Sequence, residues 1–266
     1  MLSQSRQSPN QSVAVSLSAL LCIVAVGVLQ IPQLNLVRNN SKIASPGALN
    51  QEVEQETLRL NLLQRTPVLG YDNLFADWVF LNFLQYFGDD RARNVTGYRL
   101  SPKYFDIIVD RDPRFLGAYI GLSTSISLYA GRPEESVALI EKGLKSMSPH
   151  VPQKSYYVWR YKGIDELLFL GDTQGSRQSF EKAAEWASTY SDEESQYVAA
   201  LSRKTAQFLA RNPKSKSAQV IAWTMVFNYA TDDRTRKIAI SRIEALGGKV
   251  TITPEGKLMI QAPRED

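Results

Sequence analysis

Cysteine and histidine are nearly absent from this chain of 266 residues, which carries one of each, Cys22 and His150. A single cysteine excludes an intrachain disulfide and a zinc site built on cysteines. Cys22 lies in an apolar segment, where a buried structural thiol is more typical than a reactive one. His150 lies between Pro149 and Val151 in a loop. A catalytic triad through His150 would need a geometry that nothing in the sequence indicates, so we expect a solvated side chain.

Blocks of like charge are also missing, since 31 basic and 27 acidic side chains are interspersed along the chain. A nucleic-acid surface usually shows a basic stripe, so we expect no nucleic-acid partner. The chain has no phosphate-binding glycine loop, no dinucleotide fingerprint and no HExxH motif. The acidic pairs Asp89-Asp90 and Asp232-Asp233 stand at helix boundaries, where capping is their ordinary role. We therefore predict a protein that is not an enzyme and that holds no cofactor and no metal.

A long apolar run, Val13–Ile31, follows a polar tail of residues 1–12. As a helix, its 19 residues would be about 28 Å long, close to the thickness of a bilayer core. We predict a single membrane-spanning helix. A cleaved signal peptide and a buried core helix are the alternatives, but the run is long for the first and isolated from other apolar helices for the second. Arg6 on one side nearly balances Arg38 and Lys42 on the other, so charge is a weak guide to orientation. We favour a cytoplasmic amino terminus and an exported domain.

Residues 32–50 are rich in Asn, Ser, Pro and Gly, which predicts a flexible linker. Residues 51–266 form the folded domain, which opens with a helix over Gln51–Gln64. Near its end the pattern changes to alternation, with Val250 and Ile252 followed by Leu258 and Ile260. This predicts a small β-hairpin packed against the last helix, because two strands alone are only marginally stable. The predicted fold class is therefore all-α, with a small C-terminal β-hairpin.

Two consecutive helical hairpins of similar design occupy Arg114–Trp186. Their breakers, at Gly131 and Gly171, are separated by 40 residues. Overlaying the two glycines superposes Glu141-Lys142-Gly143 on Glu181-Lys182-Ala183. A period of this size is typical of a helical array, in which stacked neighbours share a continuous core.

These hairpins resemble tetratricopeptide repeats. The residues that match the pattern of that family are Trp159, Gly163, Gly171, Asp172, Ser176, Phe180 and Ala183. The first hairpin matches less well, since its closing proline comes late and Gly143 stands where alanine is usual. The 40-residue offset also exceeds the family period of about 34 residues. The resemblance implies a tetratricopeptide-like array that binds proteins, and it names no reaction.

In that family the first helix of each hairpin lines a concave groove. Carried onto this chain, the resemblance implies Tyr157, Arg160 and Ile164 as groove residues, with Tyr119 nearby. Tyrosine and arginine are also enriched among the residues that dominate binding energies. Ordinary packing with solvated tips is the alternative interpretation.

The stretch Tyr71–Phe87 is the most apolar one outside the predicted span. A helix that is apolar on most sides is usually buried on most sides, so we predict a central core helix. In the functional interpretation, Asp77, Trp78 and Asn82 of this helix reach a groove in which a partner docks.

Two further predictions concern the segments that flank the hairpins. Arg91–Gly97 is predicted as a polar loop. Glu193–Ala210 is predicted as a helix that places Tyr197, Leu201 and Phe208 inward.

Taken together, these features indicate a membrane-anchored scaffold or assembly factor that binds a protein or peptide through a groove. One alternative is a subunit of a membrane enzyme complex whose carboxylate site unites distant acids such as Asp77 and Asp165. Another is a module that binds lipids or peptides, which an open apolar cavity beside Trp78 would favour.

Overall fold

The computed structural model describes residues 26–28, 45–211, 216–230, 233–252 and 258–263. The described chain is predominantly helical and ends in one two-stranded sheet. This confirms the prediction of a helical protein with a small β-hairpin. The predicted span, Val13–Ile31, lies outside the described residues except for 26–28, which are helical. No helix in the described ranges combines the length and the apolar character that crossing a bilayer requires.

The chain divides into two compact units, Met1–Glu52 and Val53–Asp266. In chain order the described helices are α1 (Pro46–Arg65), α2 (Asp72–Gly88), α3 (Asp90–Thr96), α4 (Ser101–Arg111), α5 (Ala118–Ser123), α6 (Pro133–Leu144), α7 (Tyr156–Asp165), α8 (Thr173–Ala187), α9 (Glu193–Arg211), α10 (Lys216–Tyr229) and α11 (Asp233–Ala245). Two π-helical segments extend α5 and α7, namely π1 (Thr124–Tyr129) and π2 (Glu166–Leu170). The strands are β1 (Lys249–Ile252) and β2 (Leu258–Gln261).

Helix α1 begins at Pro46, so residues 46–50 are helical where a linker was predicted. The Ser45 hydroxyl accepts a hydrogen bond from the Ala48 amide, at 3.3 Å, and the side-chain amide of Asn50 donates to the Pro46 carbonyl, at 3.1 Å. Side chains of this kind satisfy backbone groups that a helix end leaves unpaired. A composition rich in Ser, Pro and Asn is therefore as compatible with a capped helix start as with a linker.

The prediction of a polar loop at Arg91–Gly97 is wrong, because most of this segment forms α3. The Asp89 carboxylate caps the helix by accepting a hydrogen bond from the Ala92 amide, at 3.1 Å. Arg93 is buried, and its guanidinium lies 3.8 Å from the centre of the Tyr86 ring. Capping and this cation–π contact stabilise a helix too short for a periodic apolar pattern to reveal.

The two predicted breakers form bends of the same construction. Gly131 and Gly171 have φ angles of 69° and 67°, a backbone conformation that glycine adopts without steric cost. The amide that follows each glycine donates a hydrogen bond to the carbonyl of the residue six positions earlier. Arg132 N donates to Ile126 O at 3.0 Å, and Asp172 N donates to Glu166 O at 2.9 Å. The bends join α5–π1 to α6 and α7–π2 to α8, and the two helices of each pair pack against each other. Two packed helices joined by so short a turn run in opposite directions.

Glycines let an aromatic ring approach closely within each pair. A Cβ atom added at Gly143 would lie 1.7 Å from the Tyr119 hydroxyl oxygen. A Cβ atom at Gly163 would lie 3.1 Å from the ring of Phe180. Tyr119 is 1% exposed and donates a hydrogen bond to the Pro113 carbonyl at 2.6 Å. The glycine at position 143 is therefore required by the tyrosine that fills this space.

We expect Gly143→Ala to lower the free energy of unfolding by about 1–3 kcal/mol, because the methyl group overpacks the core. Urea unfolding of the full chain in mild detergent measures this loss. Gly88→Ala is the matched control, since a Cβ atom at Gly88 meets nothing within 4 Å. In a Tyr119→Leu background the cost of Gly143→Ala should shrink. An unchanged cost in that background would contradict the assigned clash.

The element α7–π2 is central to the packing of the unit Val53–Asp266. Buried side chains of this unit form four clusters, and α7–π2 contributes to each of them, through Val158, Leu167, Leu168 and Tyr156 in turn. The largest cluster joins it to α1, α2, α4, α5 and α6, and the others join it to α8, α9, α10 and α11. Changes on α7–π2 should therefore affect the whole unit.

The C-terminal strands pair antiparallel, with Val250 opposite Ile260. Both of these side chains pack against the cluster that contains Ile243 of α11. The predicted packing of the hairpin on the last helix is thus confirmed.

Candidate functional site

The predicted site residues of α2 lie on its exposed side. Asp77 is exposed, Trp78 is 41% exposed and Asn82 is half-buried. Arg59 of α1 connects two of them: its guanidinium donates to the Asn82 side-chain oxygen at 2.8 Å and lies 5.2 Å from the centre of the Trp78 ring.

Helix α2 as a whole is not the fully buried core helix that its composition predicts. It buries Ala76, Val79, Phe83 and Tyr86, while other apolar side chains stay exposed, including Leu74 at 66% and Leu81 at 58%. Packing in the core therefore accounts for the apolar residues on one face of α2 and leaves those on its exposed face unexplained.

The predicted groove residues of α7 are half-buried and face α9. The Tyr157 hydroxyl donates to the Glu194 carboxylate at 2.7 Å, and the Arg160 guanidinium donates to the Ser202 hydroxyl at 2.7 Å. Ile164 packs against two of the core clusters. These three residues thus lie on one side of α7, as their spacing predicts.

Tyr119 does not join the other predicted groove residues. It is buried between α5 and α6, where burial raises the pKa of its hydroxyl. Its exposed area is close to zero, so it offers no surface to a partner and is not part of the proposed site.

Helix α9 presents three of its large residues outward, which contradicts their predicted inward positions. Tyr197 is 68% exposed, Leu201 37% and Phe208 42%. Apart from Val198 and Leu209, the buried face of α9 carries small residues at helical spacing, namely Ser195, Ala199, Ser202 and Ala206. Small residues allow the close approach between α9 and α8. Their spacing of four, three and four residues was the sequence signal for the buried face, and the larger side chains obscured it.

We define the α7–α9 surface by the residues Tyr157, Tyr161, Ile164, Tyr197 and Leu201. The rings of Tyr157 and Tyr161 are stacked with their centres 6.5 Å apart. Burial raises the pKa of both hydroxyls, and the hydrogen bond to Glu194 raises the pKa of Tyr157 further. The surface therefore offers neutral phenols and aliphatic side chains, which suit contact with apolar side chains and amides.

Arg160 lies between the α7–α9 surface and the core, where its side chain is half-buried. Burial lowers the pKa of its guanidinium, although the ordinary value for arginine is so high that the group stays charged. The guanidinium carbon of Arg160 lies 5.8 Å from the centre of the Phe180 ring. This contact and the hydrogen bond to Ser202 fix the position of the side chain. Arg160 is thus a positioning residue that connects α7, α8 and α9.

A buried acidic network, which the sequence did not reveal, lies beside the surface. Asp165 is completely buried and accepts three serine hydroxyls: Ser123 at 2.7 Å, Ser127 at 2.7 Å and Ser136 at 2.6 Å. All three serines belong to the α5–π1–α6 pair. The sequence hypothesis that Asp165 and Asp77 form one carboxylate site gains no support, because Asp77 is exposed on α2.

The next residue, Glu166, points in a different direction, toward α8. It is 4% exposed, accepts the Ser179 hydroxyl of α8 at 2.6 Å and pairs with Lys162 at 2.5 Å. Consecutive residues of a helix differ in direction by about 100°. Asp165 therefore binds the preceding helix pair while Glu166 binds α8, so that these two acids connect the two pairs.

The ammonium group of Lys162 lies at the edge of a cleft of about 670 Å³. The cleft is also lined by Trp159, Glu141, Lys182 and Glu185. Four of its charged groups form ion pairs with one another, Lys162–Glu141 at 3.3 Å and Lys182–Glu185 at 2.7 Å. We therefore assign the Lys162–Glu166 pair a role in packing.

His150 is exposed, and its ring lies 4.5 Å from the ring of Tyr190. Within the described residues, no group of three or more His, Cys, Asp or Glu side chains is placed to hold a metal ion.

Comparison with known protein families, curated proteins and solved structures finds no match to this chain.

Proposed function

We propose that this protein is a membrane-anchored scaffold or assembly factor that holds a segment of another protein on the α7–α9 surface. Val13–Ile31 would be its single membrane-spanning helix, and the helical unit would lie on the non-cytoplasmic side. The helical pairs would form a tetratricopeptide-like array.

The two bends support the proposed array. Gly131 and Gly171 are 40 residues apart in sequence and share the same left-handed conformation and the same backbone hydrogen bond across six residues. Helix α9 packs on α8 as the opening helix of a further pair would. Arrays of this kind need about three units for stability.

The observation that carries the proposal is the exposure of apolar and aromatic side chains on neighbouring helices. Tyr197 and Leu201 are exposed on α9. This helix is joined to the helix of the stacked Tyr157 and Tyr161 by the hydrogen bonds Tyr157–Glu194 and Arg160–Ser202. Exposed apolar patches mark interaction sites, and tyrosine gives a large contact area at low conformational cost. The hydrogen bonds from α7 to α9 fix this surface before a partner arrives, which lowers the ordering cost of binding.

Site-specific photo-cross-linking in membranes tests the proposal. A photoreactive phenylalanine at Tyr197 is expected to cross-link one defined partner, and the same partner should be captured from Tyr157. Leu201→Ser should reduce this cross-link about fivefold or more, since truncating an apolar side chain near the centre of an interface costs about 1 kcal/mol or more.

Ile221→Ser is the matched control, because Ile221 is an apolar side chain of α10 that is 50% exposed. It should leave the cross-link unchanged. The proposal fails if both positions yield no partner, or if Leu201→Ser and Ile221→Ser have the same effect. Arg160 is left intact in this test, since its replacement would disturb the packing of three helices.

A further inference from the structure

Among the residues that the structure describes, the largest group of exposed apolar side chains lies on α1, α2 and the turn between them, outside the α7–α9 surface. We define the α1–α2 surface by the residues Leu58, Leu62, Leu69, Tyr71, Leu74, Trp78 and Leu81, which are between 41% and 89% exposed. Leu58 and Leu62 share one face of α1, since they are four residues apart. Leu74, Trp78 and Leu81 share one face of α2 by the same spacing rule.

Contacts of Arg59 hold these two faces side by side. Its guanidinium pairs with Glu56 of its own helix at 3.1 Å, and it also reaches Asn82 and the Trp78 ring of α2. A second arginine closes the turn: Arg111 of α4 donates to the Thr66 carbonyl at 2.8 Å and pairs with Asp72 at 3.2 Å. The apolar side chains are therefore displayed by a fixed scaffold.

The turn itself presents a leucine at its tip. Leu69 has a φ of 50°, in the left-handed region that non-glycine residues rarely adopt, and it is 89% exposed. Gly70 follows with a φ of 90°. Strained backbone of this kind persists only where the surrounding structure fixes it, and here it holds a large apolar side chain in solvent.

We infer that the α1–α2 surface lies on a lipid bilayer, at the boundary between headgroups and acyl chains. The inference rests on the proposed membrane anchor. Fourteen residues, 32–45, separate the end of the predicted span from the start of α1. Fourteen residues span at most about 50 Å even when fully extended. This covalent limit keeps the start of α1 within about 50 Å of the membrane that holds the span, and the α1–α2 surface begins about three turns further along α1.

The chemistry of the surface fits the interfacial region. Tryptophan and tyrosine prefer the headgroup level of a bilayer, and leucine prefers the acyl chains beneath it. Asp77 is exposed on the same side of α2. A carboxylate disfavours deep insertion, so the contact is shallow and Asp77 keeps its water.

The inference is tested on the full chain by measuring how strongly nitroxide-labelled lipids quench the fluorescence of a dye attached to the α1–α2 surface. Cys22 is the only cysteine, so a Cys22→Ser background allows a single dye at a chosen position. Leu81→Cys, labelled with an environment-sensitive dye, is compared with Met225→Cys of α10. The two native side chains are 58% and 59% exposed, respectively. Both proteins are reconstituted in phosphatidylcholine vesicles that contain a minority of nitroxide-labelled phosphatidylcholine.

We expect the dye at position 81 to be quenched at least about twofold more than the dye at position 225, as for an interfacial helix face. Adding Leu74→Asp should reduce this quenching to the control level, whereas Asp77→Asn should increase it. Equal quenching at positions 81 and 225 would overturn the inference.

Resistance of the unlabelled protein to alkaline carbonate extraction reports on the anchor separately. Retention without preferential quenching refutes the bilayer contact and leaves the anchor standing. Preferential quenching of a protein that carbonate extracts supports the contact and refutes the anchor. Failure in both measurements refutes both.

Discussion

Lys162→Met is expected to lower the free energy of unfolding by about 3–5 kcal/mol, the usual cost of removing one partner from a buried ion pair. The side chains of Lys162 and Glu166 are only 10% and 5% exposed. Without the ammonium group, the Glu166 carboxylate keeps the Ser179 hydroxyl as a partner and loses its compensating charge. Urea unfolding of the full chain in mild detergent, followed by circular dichroism, measures the loss.

A second ion pair of the same chemistry provides the control. Lys182 and Glu185 are 50% and 61% exposed, so Lys182→Met should cost only about 0–1 kcal/mol. The double variant Lys162→Met with Glu166→Leu removes both charges and should regain much of the lost stability. Equal losses in the free energy of unfolding for Lys162→Met and Lys182→Met would show that burial does not determine how much the Lys162–Glu166 pair contributes to stability.

Much of the helical layout could be predicted because its signals are local. Glycine at a bend, capping groups and apolar periodicity act within a few residues, and they place Gly131, Gly171 and the ends of α9 correctly. The same holds for the alternation that gives β1 and β2. These features depend on the chain's immediate neighbours and need no knowledge of packing.

The faces of the helices were harder to predict, because amphipathicity fails when both sides of a helix carry apolar residues. On α2 the buried side is set by contact with α4 and not by hydrophobicity, so Trp78 and Leu81 stay outside. On α9 the small residues are buried and Tyr197 is exposed. Five of the exposed apolar residues of these helices, namely Leu74, Trp78, Leu81, Tyr197 and Leu201, belong to surfaces for which we propose a partner or a bilayer.

The acidic network could not be predicted because its partners are far apart in sequence. Ser123 and Ser136 lie 42 and 29 residues from Asp165. Serine is common in helices and surface positions alike, so only the packing of α7 against α5 and α6 makes these three groups neighbours. The π segments Thr124–Tyr129 and Glu166–Leu170 were not predicted either, because nothing in their residue pattern distinguishes them from α-helix.

Asp165→Ala is expected to lower the free energy of unfolding by about 2–4 kcal/mol, since it leaves a small cavity and three buried hydroxyls without their acceptor. The lower end of this range applies if the hydroxyls of Ser123, Ser127 and Ser136 turn to carbonyls of their own helices. Asp165→Asn keeps the shape and one acceptor oxygen, and its amide group donates to a serine oxygen. We therefore expect Asp165→Asn to be much milder.

The pH dependence of stability distinguishes the charge of Asp165 from its shape. Burial raises the pKa of the Asp165 carboxyl above its ordinary value of 3.8, although the serine hydroxyls act in the opposite direction. The folded protein therefore keeps this proton at pH values at which the unfolded chain has already lost it. Stability from this group is fully present below the unfolded pKa and is lost as pH rises through the raised pKa of the folded state.

Urea midpoints of the wild type and of Asp165→Asn, measured from pH 4 to pH 7, test this sign. The variant has no proton to lose at position 165, so its stability relative to the wild type should increase as pH rises over this interval. Asp165→Ala should stay destabilised at every pH, because cavity and unpaired hydroxyls do not titrate. A relative stability of Asp165→Asn that falls with rising pH would mean that the serines stabilise an ionised carboxylate more strongly than burial destabilises it. In that case Asp165 would act as a buried charge that requires its three donors, and Asp165→Asn would approach the cost of Asp165→Ala at neutral pH.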